Sequence, residues 1–481
     1  MKRTDENMTA TAAPTTGTEP RPGTAFDLLV TNARVVTPQG VTAGGVAVLD
    51  GRIAKITEAG EALPARRTID AEGHYLLPGV IDSHVHFRTP GLLYKEDWEH
   101  GSRAAAAGGV TTVIDMPNTQ PPLTDPDAAA GKSALVEGRS LVDYRFHFGV
   151  TETSVDNLRR LTPRQATSVK VFMTGHHTAP HVIRDPQVLD EIFAIAAERG
   201  LRVVLHAEDD AVFALLDELK GEPAEYRDYE PSRPRSGGIV AAARVIELVR
   251  KHGTSVHVVH VSSAEESELL RAAYHSGLPV THEVTAHHLS FSADDTERLG
   301  ARIRLSPAIR SVRDQQGLWQ ALADDAVATI GSDHAPHTVE EKTRSVQASP
   351  PGLPGVQELL TAVFTGMRRR FPEMPLDEVM TRIARFASQR PAELFGIAGR
   401  KGSVAPGLDA DFTLFDPDAV WMMSAGHVQS KCGWSAYEGW TFTGRPAVTV
   451  RRGEVIFDNR GDGPVFGAPT GEWLDAAPTT T

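Results

Sequence analysis

The central part of the chain repeats one pattern, in which a short apolar run of β type is followed by a segment of helical length rich in Ala, Glu and Arg. The pattern extends from about Gly79 to Ser388. Repeated β-α units predict a parallel sheet, and eight of them close a (β/α)8 TIM barrel of roughly 250 residues or more. The eight candidate strands are 79–87, 109–116, 144–150, 167–173, 202–207, 255–261, 279–284 and 326–333.

The segments on either side of this region have a different residue pattern. Residues 26–78 contain short β-type runs separated by turns with Gly and Asn, and they show no helical period. A similar β texture returns after residue 401. We therefore expect 26–78 and 401–460 to form one small composite β-sandwich domain beside a barrel at 79–400.

The two ends of the chain are expected to be tails. Residues 1–25 are rich in Thr, Pro, Ala and Gly, and they lack the apolar core of a secretory signal. They predict a disordered extension. Residues 461–481 are expected to form a C-terminal tail.

Charge and composition exclude several classes of protein. Acidic residues outnumber basic ones by 62 to 49, which gives a net charge of -13, and no Lys/Arg cluster is present that could follow a phosphate backbone. No run of about 18 apolar residues is available to cross a membrane. The single cysteine, Cys432, has no partner for an intramolecular disulfide. We expect a cytoplasmic protein that acts on a small molecule and binds neither nucleic acid nor membrane.

Candidate metal ligands lie at the predicted strand ends. The side chains at the carboxyl ends of barrel strands form the mouth of the barrel. Side chains alternate along a strand, so His84 and His86 point the same way, and converging imidazoles are typical of a metal site. A single histidine at a strand end has an ordinary structural explanation, but joint placement on four strands favours a metal centre. The residues concerned are His84, His86, His206, His260 and Asp333.

Lys170 adds to this pattern, because it lies in the apolar run "SVKVFM" of the fourth candidate strand. A buried ammonium among Val, Phe and Met costs several kcal/mol and is expected to lose its proton. The resulting amine can take up carbon dioxide as a carbamate, whose two oxygens can bridge two metal ions. The alternative is an ion pair with a carboxylate elsewhere in the chain.

These residues resemble the amidohydrolase superfamily, and within it the cyclic amidohydrolases, which are dihydroorotases, allantoinases and hydantoinases. The similarity runs from about Phe26 to Asn459. It implies two Zn²⁺ per subunit bridged by carboxylated Lys170, a metal-bridging hydroxide that attacks a ring amide, and Asp333 as the catalytic proton shuttle. It also implies a homo-oligomer, either a dimer or a tetramer. The implied ligands are His84, His86, Lys170, His206, His260 and Asp333.

Three further motifs are similar to dihydroorotases. "HFRTPG" carries Arg88, "DMPNTQPP" carries Asn118 and "GSDHAPH" carries His337. The resemblance implies that Arg88 and Asn118 bind the substrate carboxylate and that His337 helps to fix the ring. A guanidinium can hold a carboxylate in bidentate fashion, and neutral rings such as hydantoin lack that group. The expected reaction is the interconversion of N-carbamoyl-L-aspartate and dihydroorotate.

Other features favour a related activity. Ser306 stands where many bacterial dihydroorotases have a substrate-contacting Asn, and a bridging lysine is the usual choice of hydantoinases and allantoinases. An allantoinase or a hydantoinase is therefore the first alternative, and a non-catalytic homologue the second, although such homologues typically lose metal ligands. Glu283 and His287 are candidates for supporting the metal ligands. The histidine-rich segment 173–181 has no assigned role.

Overall fold

The computed structural model describes residues 25–175 and 181–477. Most of the predicted N-terminal tail and the two histidines at 176 and 177 therefore lie outside the described residues. None of the helices in the described ranges combines the length and the apolar character that a membrane span requires.

The N-terminal part forms the first five strands, as its alternating apolar runs predict. β1 pairs antiparallel with β2, and β2 with β3, while β4 and β5 run parallel to β1. Apolar side chains of these strands, such as Val30, Val46 and Leu76, are fully buried. The bounds are β1 Phe26–Thr37, β2 Gly40–Leu49, β3 Arg52–Glu58, β4 Ala65–Asp70 and β5 Tyr75–Pro78.

The following strands form the barrel, and each of the eight predicted β-type segments contains one barrel strand. The third barrel strand is interrupted at His147 and consists of two short pieces, β8 and β9. Every neighbouring pair is parallel, and the ring closes where the backbone N–H of His86 donates to the carbonyl of His334 at 2.8 Å. The predicted (β/α)8 barrel is thereby confirmed. The strands are β6 Val80–Val85, β7 Val110–Asp115, β8 Asp143–Phe146, β9 Phe148–Gly149, β10 Ser168–Phe172, β11 Arg202–His206, β12 Val256–Val258, β13 Val280–Thr285 and β14 Thr329–Gly331.

Helices surround the barrel, and local signals set their ends. The helix Pro186–Arg199 begins after Asp185, whose side chain accepts from the N–H of Gln187, and it ends at Gly200 in a left-handed conformation with φ 64°. The helices are α1 Trp98–Ala107, α2 Ala128–Val136, α3 Pro186–Arg199, α4 Asp210–Lys220, α5 Tyr229–Ser232, α6 Arg235–His252, α7 Ala264–His275, α8 Ala286–Ser290, α9 Thr296–Leu299, α10 Val312–Ala323, α11 Val339–Lys342, α12 Leu359–Arg370, α13 Leu376–Ala384 and α14 Arg390–Leu394.

The C-terminal part returns to the first sheet, as the β texture predicts. β15 pairs antiparallel with β5, with Leu414 opposite Leu76, so both ends of the chain build one nine-stranded, mainly antiparallel sheet. The division of the chain at 26–78, 79–400 and 401–460 stays a prediction. The last strands are β15 Phe412–Met422, β16 Thr441–Arg451, β17 Glu454–Asp458 and β18 Val465–Phe466.

A buried ion cluster joins this sheet to the amino-terminal end of the barrel. The ammonium of Lys401 lies 2.7 Å from carboxylate oxygens of Asp143 and Asp411 and 3.1 Å from Asp409. Asp143 opens β8, whereas Asp411 directly precedes β15. Lys401 is 1% exposed, and the surrounding carboxylates raise its pKa to about 12 despite burial. The cluster ties the two units together on the side opposite to the barrel mouth.

The segment expected to be a C-terminal tail is part of the folded body as far as residue 477. The backbone N–H of Tyr144 donates to the carbonyl of Glu472, and the N–H of Leu474 donates to the carbonyl of Tyr144. The side chain of Leu474 is 1% exposed and packs with Ile81, Ala392 and Ile397. The sequence shows no helical period here because the segment is extended. It pairs with the free edge of the short strand β8.

Candidate metal centre

The structure brings all six predicted metal ligands to the mouth of the barrel. His84 lies in β6, Lys170 in β10 and His206 at the end of β11, and the other ligands follow β6, β12 and β14 by one or two residues. All six line one cavity, as a parallel barrel requires of residues at the carboxyl ends of its strands. The residues around this cavity include His84, His86, Arg88, Lys170, Phe172, His206, His260, Ser306 and Asp333.

The ligand-type atoms converge closely. Oδ1 of Asp333 lies 3.2 Å from Nε2 of His84 and 3.2 Å from Nε2 of His86. The rings of His206 and His260 have centroids 4.5 Å apart, and the His84 and His260 centroids are 5.2 Å apart. Imidazole nitrogens and carboxylate oxygens at such spacing match the donors that Zn²⁺ prefers. The cluster of His84, His86 and Asp333 could therefore hold a metal ion.

Outer partners orient three of the histidines. Nδ1 of His84 lies 2.7 Å from Oε1 of Glu283, and Nδ1 of His86 lies 2.7 Å from Oδ1 of Asn118. Nε2 of His206 lies 3.0 Å from Oε2 of Glu208. These oxygens only accept, so each ring directs an N–H toward its partner and leaves its other nitrogen as the one that a metal ion would bind.

A bound metal ion would compete with a proton for the ring of His84. Burial lowers the pKa of His84, but the carboxylates of Asp333 and Glu283 outweigh burial and raise that pKa to about 9. A metal ion at this nitrogen would therefore displace a proton, because both need the same lone pair.

Lys170 fits the same centre. Its side chain is 1% exposed, and Nζ has no hydrogen-bond or ion-pair partner among the described residues. The ion pair that was the structural alternative is thus not found in that part of the chain. Burial lowers the pKa of Lys170 to about 7, and Asp333 and Glu283 offset burial only in part. An unpaired buried amine of this kind is the form that can react with carbon dioxide.

Three residues of the site have strained backbones. The φ angles of Arg88, His260 and Asp333 are 59°, 42° and 44°, in the left-handed region that non-glycine residues rarely adopt. Such conformations cost roughly 1–3 kcal/mol each and cluster at functional sites. Each of the three follows the end of a barrel strand, where the change of direction turns the side chain toward the cavity.

The three predicted substrate contacts occupy different places. Arg88 is 1% exposed and lines the metal cavity, and its Nε and Nη1 have no hydrogen-bond partner within the ranges 25–175 and 181–477. Asn118 lines the neighbouring cavity and contacts His86. An unpaired, buried guanidinium facing a cavity is suited to an anionic ligand.

His337 lies behind Arg88 and is not among the residues that line the metal cavity. Burial lowers the pKa of His337 well below its ordinary value, so the ring is neutral. Nε2 donates to the carbonyl of Pro351 at 2.9 Å, and Nδ1 accepts from Nζ of Lys95 at 3.0 Å. Both nitrogens are therefore engaged by Lys95 and Pro351, which suits a role in holding the loop around Pro351.

A second, more apolar cavity of about 220 Å³ adjoins the metal cavity. The two share Lys170 and Phe172. The apolar part of its wall comes from Leu92, Pro117, Pro121, Val150 and Phe172. A ring bound at the metal cavity could therefore carry a substituent into an apolar space.

Sequence reasoning missed several partners of the site. Glu208, which orients His206, stands two residues after it in "HAED", so its position beside a predicted ligand was a usable signal. Glu283 contacts His84 as suggested, whereas His287 contacts the hydroxyl of Tyr437 instead. Lys95 has no such signal, because a loop alone brings it to His337.

Comparison with known proteins supports this picture. The sequence profile of the Amidohydrolase family matches residues 75–456. The chain is 33% identical to a dihydroorotase of Methanosarcina acetivorans over 438 residues, which cover 90% of this chain and 92% of that protein. It is 32% identical to an allantoinase of Deinococcus radiodurans over 455 residues, with coverage of 94% and 99%.

A solved structure gives the same result. The L-hydantoinase of Arthrobacter aurescens superposes with a TM-score of 0.85 at 30% identity, covering 94% of this chain and 98% of that chain. The family match, the barrel and the histidine-rich centre agree with one another. The chain therefore belongs to the amidohydrolase family, and within it to the cyclic amidohydrolases.

Proposed function

We propose that this protein is a dihydroorotase, which interconverts N-carbamoyl-L-aspartate and dihydroorotate. The observation that carries the proposal is Arg88, a buried guanidinium at the metal cavity with two nitrogens that lack partners among the described residues. A buried charge of this kind is costly unless an anion pairs with it. Dihydroorotate brings a carboxylate, which a guanidinium can hold through two parallel hydrogen bonds.

We further propose that the site holds two Zn²⁺ ions bridged by carboxylated Lys170. The residues fit such a centre, because the amine of Lys170 and Nδ1 of His260 are both buried without a hydrogen-bond partner in the described part of the chain. The ligands would be His84, His86, Lys170, His206, His260 and Asp333. Metal ions bound there would supply Lewis acidity, which lowers the pKa of a coordinated water and polarises the ring amide carbonyl.

The protein's own residues supply the proton chemistry and the orientation. Asp333 is placed to accept a proton from the attacking water and to deliver it to the departing ring nitrogen, as base and then acid. Arg88 fixes the carboxylate, and Asn118 lines the neighbouring cavity, where its side-chain oxygen contacts His86. His337 holds the loop around Pro351 at the rim of the metal cavity, so its contribution to the position of the ring is indirect. Orientation of this kind raises the rate because the reacting groups start near their reactive geometry.

The second candidate function is that of an allantoinase or a hydantoinase. The apolar cavity beside Lys170 favours it, because a neutral ring with an apolar substituent would fill that space. A non-catalytic homologue is disfavoured, since all six predicted ligands are present and converge. We also propose a cytoplasmic homo-oligomer, a dimer or tetramer, on the basis of the family resemblance.

A substrate panel with Arg88 variants tests the proposal. Wild-type protein should turn over dihydroorotate, and Arg88→Met should lower kcat/KM for it by about 100-fold or more, because a charge-assisted bidentate contact is lost. Arg88→Lys, which keeps the charge without the fork, should recover part of the loss. Hydantoin and allantoin serve as the neutral rings. Equal losses on charged and neutral rings, or turnover of the neutral rings alone, would reject dihydroorotate as the substrate.

A further inference from the structure

A third cavity, of about 330 Å³, lies at the amino-terminal end of the barrel, on the side opposite to the metal cavity. Residues that open or directly precede β11, β13 and β14 build its wall, together with parts of α7 and α14. Active sites of such barrels lie at the carboxyl ends of the strands, so a cavity at the other end suits binding rather than catalysis. Its charged side chains are Arg202, Arg271, Asp325, Arg390 and Glu393.

Arg202 is a buried cation in the wall of this amino-terminal cavity. It is the first residue of β11 and is 7% exposed. Its Nε donates to the carbonyl of Leu394 at 3.0 Å, but within residues 25–175 and 181–477 its two terminal nitrogens have no hydrogen-bond partner and no carboxylate forms an ion pair with it. Burial alone lowers the pKa of Arg202 to about 10, so the guanidinium is charged at neutral pH. A buried charge of this kind is costly unless an anion pairs with it.

Arg145 shows how the same fold satisfies a buried arginine by its own backbone. Arg145 lies in β8 and is 1% exposed, and its two terminal nitrogens donate to the carbonyls of Leu474 and Pro163. Arg202 is almost as deeply buried, yet its side chain lines an open cavity instead. The difference indicates that the partner of Arg202 comes from outside the chain.

The rest of the wall adds positive charge without neutralising Arg202. Arg390 lies 2.9 Å from Asp325, and Arg385 lies 3.2 Å from the same carboxylate oxygen, so Asp325 is already shared by two guanidinium groups. Arg271 is 41% exposed and stands nearer to solvent. Three guanidinium groups therefore face two carboxylates in this cavity, although the whole chain has a net charge of -13. A positive cavity of this kind attracts anions.

We infer that the amino-terminal cavity binds a phosphate group, with Arg202 as the central contact and Arg271 at the edge. Guanidinium groups hold phosphate oxygens through parallel, charge-assisted N–H donors. The cavity has room for more than the phosphate, and part of its wall is apolar, where Val280 and Leu394 lie beside Tyr274, which is 57% exposed. The ligand class is therefore a phosphate monoester whose organic group lies against this apolar wall.

The test is a calorimetric titration of the metal-replete, full-length chain with inorganic phosphate and with phenyl phosphate, in a buffer free of other oxyanions. Both should bind saturably, and phenyl phosphate should bind more tightly because its ring adds apolar contact. Arg202→Met should weaken phosphate binding by about tenfold or more, the effect expected when a hydrogen bond from a charged group is lost. Arg271→Gln should weaken it less. Arg250→Gln is the matched control, since Arg250 forms the same i,i+3 pair with a glutamate but lies outside the cavity, and it should bind as wild type does.

Arg88→Met separates this cavity from the metal cavity, where bound metal or Arg88 would also attract phosphate. It should retain the binding that Arg202→Met removes. Binding that is lost in Arg88→Met and kept in Arg202→Met places the anion at the metal cavity and overturns the inference, as does the absence of saturable binding by wild type. If circular dichroism shows that Arg202→Met does not fold, Arg271→Gln and Arg250→Gln decide, and equal affinities in these two overturn the inference. Equal affinity of wild type for phosphate and phenyl phosphate supports the anion site and overturns the role of the apolar wall.

Discussion

Oε1 of Glu283 lies 2.7 Å from Nδ1 of His84, and the two side chains are 0% and 1% exposed. The carboxylate holds the ring so that Nε2 faces Asp333, which lies 3.2 Å away. A partner of this kind fixes both the tautomer and the orientation of a metal-binding histidine. The contact forms because the first and seventh barrel strands end on the same side of the barrel mouth.

Removal of that partner should weaken metal binding. Glu283→Ala should lower zinc affinity by about 10–100-fold, because His84 loses its orienting acceptor. Competition with a chromogenic chelator measures the affinity. His287→Gln is the matched control, since His287 is equally buried but contacts Tyr437, and it should retain wild-type affinity. Equal affinity in Glu283→Ala and wild type would show that His84 needs no such support.

The cluster around Lys401 should dominate the docking of the β sheet on the barrel. Lys401→Met leaves the carboxylates of Asp143, Asp409 and Asp411 buried without their shared ammonium, and removal of one partner from a buried ion cluster costs about 3–5 kcal/mol. Urea unfolding should show a loss of that size. Lys251→Met, which breaks a surface pair with Asp190, should change stability by less than about 1 kcal/mol. Similar small effects for both variants would contradict the importance of the cluster.

Glu358 should make stability depend on pH near neutrality. Burial raises the pKa of Glu358 to about 7, and the hydrogen bond from Ser435 only partly offsets burial. The folded protein then holds this proton up to near pH 7, whereas the unfolded chain loses it near pH 4.5. The contribution of Glu358 is therefore most favourable below pH 4.5 and is lost as the pH rises through 7.

Glu358→Gln carries no titrating group, so it should gain stability relative to wild type by about 2–3 kcal/mol between pH 5 and pH 8. Unfolding curves at the two pH values measure the change. The exposed Glu297 provides the control, and Glu297→Gln should follow wild type at both values. A stability difference between Glu358→Gln and wild type that does not move with pH would mean that the buried carboxyl does not titrate in this range.

The C-terminal segment should contribute to the stability of the barrel. Leu474 is 1% exposed and fills a space beside Ile81 and Ala392, so Leu474→Ala should cost about 2–4 kcal/mol through lost burial and the cavity that remains. Leu219→Ala removes the same atoms from a residue that is 69% exposed and should change the melting temperature very little. If the two variants have the same melting temperature, the segment 471–477 does not stabilise the fold.

Much of the fold follows from the sequence because its strongest signals are local. The barrel strands are short apolar runs, and recognisable caps bound several of the helices between them, as at Asp185 and Gly200. The convergence of His84, Lys170 and Asp333 then follows from topology alone, because a closed parallel barrel collects the carboxyl ends of its strands at one rim.

Contacts set by loops could not be predicted in the same way. Glu208 meets Arg310 across 102 positions, and Lys95 meets His337 across 242. No period or motif connects such pairs, since their approach depends on how each loop folds over the rim. For the same reason the sequence places His337 beside the substrate, whereas the structure turns both of its nitrogens toward Lys95 and Pro351.

We propose that six side chains at one rim of the barrel hold a pair of metal ions through a modified lysine. Elemental analysis of zinc per chain after exhaustive dialysis, on wild type and Lys170→Ala side by side, tests it most directly. We predict about two zinc ions per wild-type chain and a clear loss in Lys170→Ala, with turnover lost in parallel. A wild-type protein that turns over its substrate without bound metal, or a Lys170→Ala variant that keeps two zinc ions, would contradict the claim.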